Sequence, residues 1–85
     1  MKKIPIATYK TEDDSRWEAG FKCFKVDSSE ERKVGMRMFG QEIKDYILFE
    51  FFDHKGQQIK ILTADTKEYA ISIVKKYMRY GFQKV

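Results

Sequence analysis

At 85 residues, with 42% hydrophobic side chains, five Gly and one Pro, the chain has room for one core and lacks the composition of a disordered segment. A single Cys (Cys23) and a single His (His54) exclude an intramolecular disulfide and a thiolate zinc site, which points to a reducing, cytoplasmic setting. The formal charge of +4 is unevenly spread: residues 1–53 carry ten Lys and Arg against eleven Asp and Glu, and residues 54–85 carry seven against two, so the basic character belongs to the C-terminal third.

The opening MKKIPIATYKTEDD has two lysines but no apolar run of signal-peptide length, and no window approaches the roughly 20 apolar residues of a membrane span. Within it, residues 4–10 read as a strand that either lies at a sheet edge or begins at Pro5, because proline cannot donate to a ladder. Residues 11–15 (TEDDS) form a polar loop. Residues 17–23 alternate, with Trp17, Ala19, Phe21 and Cys23 on one face. Phe24 and Val26 then take the opposite parity, which predicts a bulge near Cys23 and Phe24 or a strand end covered on both faces.

Residues 27–32 (DSSEER) read as a loop, and residues 33–39 alternate again, with Val34, Met36 and Met38 on one side. After Gly40, residues 46–52 (YILFEFF) are the most apolar run and read as the central strand. The segment DHKGQ (53–57) is a hairpin turn with His54 at its tip, a solvated turn residue, and 58–64 form the returning strand. The last element is a helix: Asp65 and Glu68 have capping-box spacing, and Tyr69, Ala70, Ile73, Val74, Tyr77 and Met78 make one apolar stripe. Gly81 followed by Phe82 is a left-handed stop, after which residues 82–85 (FQKV) add a short strand. The expectation is a single α+β domain over residues 1–85. Its order is β-β-β-β-β-α, with an antiparallel sheet of four to five strands and the C-terminal amphipathic helix packed on one face.

An enzyme is not expected. No Ser, His and Asp set, P-loop or dinucleotide fingerprint is present, and the adjacent carboxylates of Glu12, Asp13 and Asp14 diverge into solvent, so neither cofactor, metal nor small-molecule substrate is anticipated. The stretch KKYMRYG (75–81) interleaves cations with aromatics. Much of that is amphipathic spacing, and cations in the last turns also complement the helix dipole. Yet Lys75, Lys76, Arg79 and the off-stripe Tyr80, joined by Lys55 and Lys60 on the hairpin and by Lys84, would make one phosphate-contacting face. The leading expectation is thus a small binding module for DNA or RNA. The alternative is a protein-interaction module, an inhibitor, adaptor, subunit or homodimer, docking by a strand edge or by an apolar sheet face carrying Met36, Met38, Phe49 and Phe51.

Residues 46–77 also resemble the closing part of the three-strand-plus-helix arm-type DNA-binding domains of phage and transposon integrases. Asp53 and Gly56 match the turn, and Thr66, Lys67, Glu68 and Ala70 match the helix start. That resemblance implies a sheet face entering the major groove, with Lys60, Arg37 and Lys44 near DNA.

Overall fold

The computed structural model of the chain describes residues 2–28, 37–38, 41–42 and 44–85, the two short pieces by their backbone alone. Along the chain run β1 (Lys2–Lys10), β2 (Gly20–Asp27), β3 (Arg37–Met38), β4 (Gln41–Glu42), β5 (Tyr46–Phe52), β6 (Gln58–Ala64), the helix α1 (Lys67–Arg79) and β7 (Gln83–Lys84). The main sheet has the order β6-β5-β2-β1-β7 and is antiparallel throughout, while β3 and β4 pair only with each other. The expected α+β fold with one C-terminal helix on the sheet is therefore present, with β7 as the fifth strand. Of the strand read at 33–39, Arg37–Met38 is the described part and stands outside the main sheet. The run 46–52 is an interior strand, but β2 occupies the centre.

Bulges set which side chains meet the helix. Opposite Phe24 and Cys23, the register of β1 slips between Pro5 and Ala7, so the irregularity anticipated there lies on the partner strand, with Ile6 as the extra residue. Between Phe51 and Phe52 the register of β6 slips in the same way at Ile59, which turns both Ile59 and Lys60 toward the core side. Both sheet edges are thereby blunted. Pro5 and a bulge interrupt β1 beyond the reach of β7, which pairs only with Tyr9 and Lys10, and a bulge with an inward-pointing lysine interrupts β6. The strand read from Trp17 begins three residues later, at Gly20, and Trp17 is exposed in the preceding loop.

On the helix side, Phe21 of β2 is the hub of the core. Its ring lies 5.0 Å from Tyr9, 5.1 Å from Phe51, 5.5 Å from Tyr77, 5.8 Å from Phe49 and 5.9 Å from Phe82. Such offset and edge contacts add to area burial in holding the layers together. The helix presents Ala70, Ile73 and Tyr77 as its buried stripe, narrower than the sequence suggests, since Tyr69 and Met78 remain exposed. Its N-cap is Thr66, one residue after the expected Asp65: the Thr66 Oγ1 accepts from the Tyr69 backbone N–H at 3.1 Å. The C-terminal stop is as the sequence implies. Gly81 adopts φ +101, its N–H donates to the Met78 carbonyl, the Phe82 N–H donates to the Tyr77 carbonyl, and the Phe82 ring packs edge-on against Tyr77 at 5.3 Å.

Candidate functional site

The seven residues anticipated as a nucleic-acid face come from α1 and its C-cap, the β5–β6 turn, β6 and β7. Lys75, Lys76 and Arg79 are exposed on the outer side of α1, and among the described residues none of them makes an ion pair. Lys55 is exposed in the turn of the β5–β6 hairpin and Lys84 on β7. That turn is built by Asp53, whose Oδ1 accepts from the N–H groups of Lys55 and Gln57, and by Gly56 at φ +85. Tyr80 is 45% exposed, but the Arg16 guanidinium stacks 4.6 Å from its ring and the ring meets Tyr77 edge-on.

Lys60 is the clear correction. It lies under the helix, where its Nζ donates to the Glu18 Oε2 at 2.8 Å and to the Tyr77 hydroxyl at 3.0 Å, while Tyr77 donates to the same carboxylate oxygen at 3.2 Å. Arg16 donates to the other oxygen, Oε1, at 2.6 Å. Burial pushes the Glu18 carboxyl up, but the hydrogen bonds from Lys60 and Arg16 and their charges outweigh it, and the group is held below its ordinary value. For Lys60, burial pushes down and the bonds with Glu18 and Tyr77 outweigh it, so its pKa is raised. The network fastens the 11–19 loop to the helix and to β6. His54 Nε2 adds a bond to the Arg16 carbonyl at 2.9 Å that pins the hairpin tip beside the same loop. Lys60 is thus a structural cation, turned away from the sheet face that the arm-type resemblance would place near DNA.

The apolar candidates are corrected as well. Phe49 and Phe51 are fully buried in the core beneath the helix, because their parity in β5 matches that of Phe21 and Cys23 across the ladder. They do not line an uncovered face. Met36, the Met38 side chain and the Arg37 side chain lie outside the described residues, and Lys44 is exposed ahead of β5.

What the open face of the sheet does carry is different. Lys10, Lys22, Lys3, Thr8, Phe24, Leu48, Glu50, Phe52, Ile61 and Thr63 follow from the register of β1, β2, β5 and β6; Val26 shares their parity but is buried, so the face is open toward its Lys10 and Lys22 end. Glu50 is its one acid among the described residues, and Lys3 engages it at 2.8 Å while lying 4.6 Å from the Phe24 ring. Phe52 reaches across the sheet over Gly20, where an added Cβ would stand 2.5 Å from its Cζ. Beside Phe52 is a hollow of about 500 Å³, lined in part by Lys10, Lys22, Gln58 and Gly56.

Among the described residues no group of three His, Cys, Asp or Glu side chains converges as a metal site, and no helix is long and apolar enough to cross a membrane. Cys23 is buried on the helix side, and burial pushes its thiol up to about 11. Comparison with protein-family models, curated proteins and solved structures gave no significant match.

Proposed function

We propose that this domain is a non-enzymatic nucleic-acid-binding module that lays its uncovered sheet face along a single strand. One observation carries the reading: on that face the exposed Lys10 and Lys22 flank the half-buried Phe52 ring, and the sole described acid, Glu50, is already held by Lys3. A planar ring with cations to either side is the arrangement that stacks a base while neutralising its flanking phosphates. Gly20 leaves the space that the Phe52 ring occupies, since a Cβ there would meet it at 2.5 Å. The exposed Lys55 in the adjoining turn extends the cationic path past Gly56. The helix cations Lys75, Lys76 and Arg79 sit on the opposite side of a two-layer domain, so a short strand does not reach both surfaces.

The test is fluorescence anisotropy with labelled single strands of about 12 nucleotides and with the matching duplex. Lys10→Glu with Lys22→Glu is expected to weaken single-strand binding about tenfold or more at low salt, and Lys75→Glu with Arg79→Glu to leave it within a factor of about three. Stronger dependence on the helix pair, or preference for duplex, would move the function to the surface first anticipated from the sequence or to major-groove insertion. No binding at low salt by the folded protein would remove the reading.

A further inference from the structure

The helix α1 has a second apolar stripe of which only Val74 packs against the core. Ile71, Val74 and Met78 recur at i, i+3 and i+7, roughly 100° around the helix from Ala70, Ile73 and Tyr77. They form one wall of a groove of about 620 Å³ beside the helix, across from the exposed Ile6 and the half-buried Ile47, with the buried Cys23 and Phe49 beneath. Ile6 is 53%, Ile71 42% and Met78 52% exposed, so this is a continuous apolar surface and not three scattered residues.

One helix leaves part of this side of the sheet free. Strands lie about 4.8 Å apart and a helix is about 10 Å across, so one helix covers about two of the five strands and leaves space beside it for another. The spacing of the second stripe is that of a helix-to-helix seam. Along its rim stand three exposed lysines, Lys25 from β2 and Lys67 and Lys75 from α1, against the carboxylates of Asp65 and Asp45, the latter accepting from the Ser28 N–H, so the balance is positive by one charge. A second copy of this chain entering by its own α1 would bring Lys67 and Lys75 against the same cations. The rim instead selects an occupant of opposite charge.

We infer that the groove beside α1 docks an amphipathic helix of another protein, apolar on the docking face and flanked by Asp or Glu. This surface lies on the other side of the sheet from the proposed nucleic-acid face and does not depend on it.

Two synthetic peptides test the inference with the full chain: a helix with Leu at i, i+3, i+4 and i+7 flanked by Glu, and the same Leu pattern flanked by Lys. The Glu peptide is expected to bind saturably and about tenfold more tightly than the Lys peptide, as several screened charge pairs together provide. Met78→Glu is expected to abolish binding while the protein keeps its melting temperature, since Met78 is outside the core. Lys67→Glu with Lys75→Glu is expected to reverse the peptide preference, which a merely sticky surface would not do. Binding of neither peptide, equal binding of both, or an unreversed preference overturns the inference. So does a homodimer that Met78→Glu dissolves, or methyl NOEs from Ile71 and Met78 to residues 29–43, because either gives the groove a different occupant. Lys10→Glu with Lys22→Glu is expected to leave peptide binding unchanged, which keeps this result separate from the fate of the nucleic-acid reading.

Discussion

Replacing Glu18 with alanine removes the acceptor on which three donors from three different elements converge. Lys60 and Arg16 have side chains about one-third and one-quarter exposed, at 32% and 27%, against 11% for Glu18, so water can recover part of what each cation loses. The cost therefore falls below that of a fully buried pair and nearer to the loss of hydrogen bonds to a charged group, about 2 kcal/mol. For a domain of this size that corresponds to a fall of about 8–16 °C in melting temperature. Glu18→Gln keeps the shape and one acceptor but not the charge, and should cost about half as much. The difference between wild type and Glu18→Gln also depends on pH. The folded-state pKa of Glu18 lies below its unfolded value, so its charge stabilises fully above the unfolded pKa, and that contribution disappears as pH falls through the folded one. Lys60 behaves in the opposite sense: its folded pKa is raised, so its contribution is complete below the unfolded lysine pKa and is lost as pH rises through the folded one. The gap should be flat between about pH 6 and 9 and should narrow below the ordinary carboxylate range. Urea unfolding followed by circular dichroism across that range measures it. A gap that stays constant into strong acid, or a Glu18→Ala cost under about 0.5 kcal/mol, would refute the argument that this carboxylate fastens the loop to the helix.

Other consequences concern the backbone and the thiol. Gly20→Ala sets a Cβ 2.4 Å from the Tyr9 carbonyl oxygen, which is backbone and cannot swing aside, so it should destabilise by about 1–3 kcal/mol in chemical denaturation. Gly81→Ala meets no neighbour but forces a side chain to φ +101, and a loss of about 1–2 kcal/mol is expected from strain alone, with the helix content otherwise retained by circular dichroism. Cys23, buried and with its thiol pushed up to about 11, should resist a disulfide reagent at pH 8 in the folded protein and react at once in denaturant; rapid native labelling would mean that the groove floor opens.

Local chemistry was the most legible part of the chain. The Asp53 and Gly56 turn, the strand parity of Phe21 and Cys23, and the Gly81 stop each depend on residues within a few positions of one another, and each formed where the pattern indicates. The helix start moved by one residue because Thr66 offers a hydroxyl where Asp65 offers a carboxylate, and both precede the same apolar run. What sequence spacing did not show is anything decided across the fold. Lys60 looks like a surface cation of the hairpin until Glu18, 42 residues away, accepts its hydrogen bond, and the bulge at Ile59 that turns it inward has no sequence mark. Phe49, Phe51 and Phe52 are equally apolar in the sequence, yet their parity against β2 sends the first two into the core and the third onto the open face. Lys10 and Lys22, separated by a loop and a strand reversal, become neighbours of Phe52 only once β1, β2 and β5 are side by side.

Amide chemical-shift mapping by NMR, with an unlabelled single-stranded oligonucleotide titrated into the isotope-labelled protein, tests most directly whether the open sheet face is the nucleic-acid surface. The largest shifts are expected on Thr8, Lys10, Lys22, Phe24 and Phe52, with the amides of Lys75, Lys76 and Arg79 little changed. Shifts concentrated at the C-terminal end of α1, or a titration that moves no amide at low salt, would contradict it.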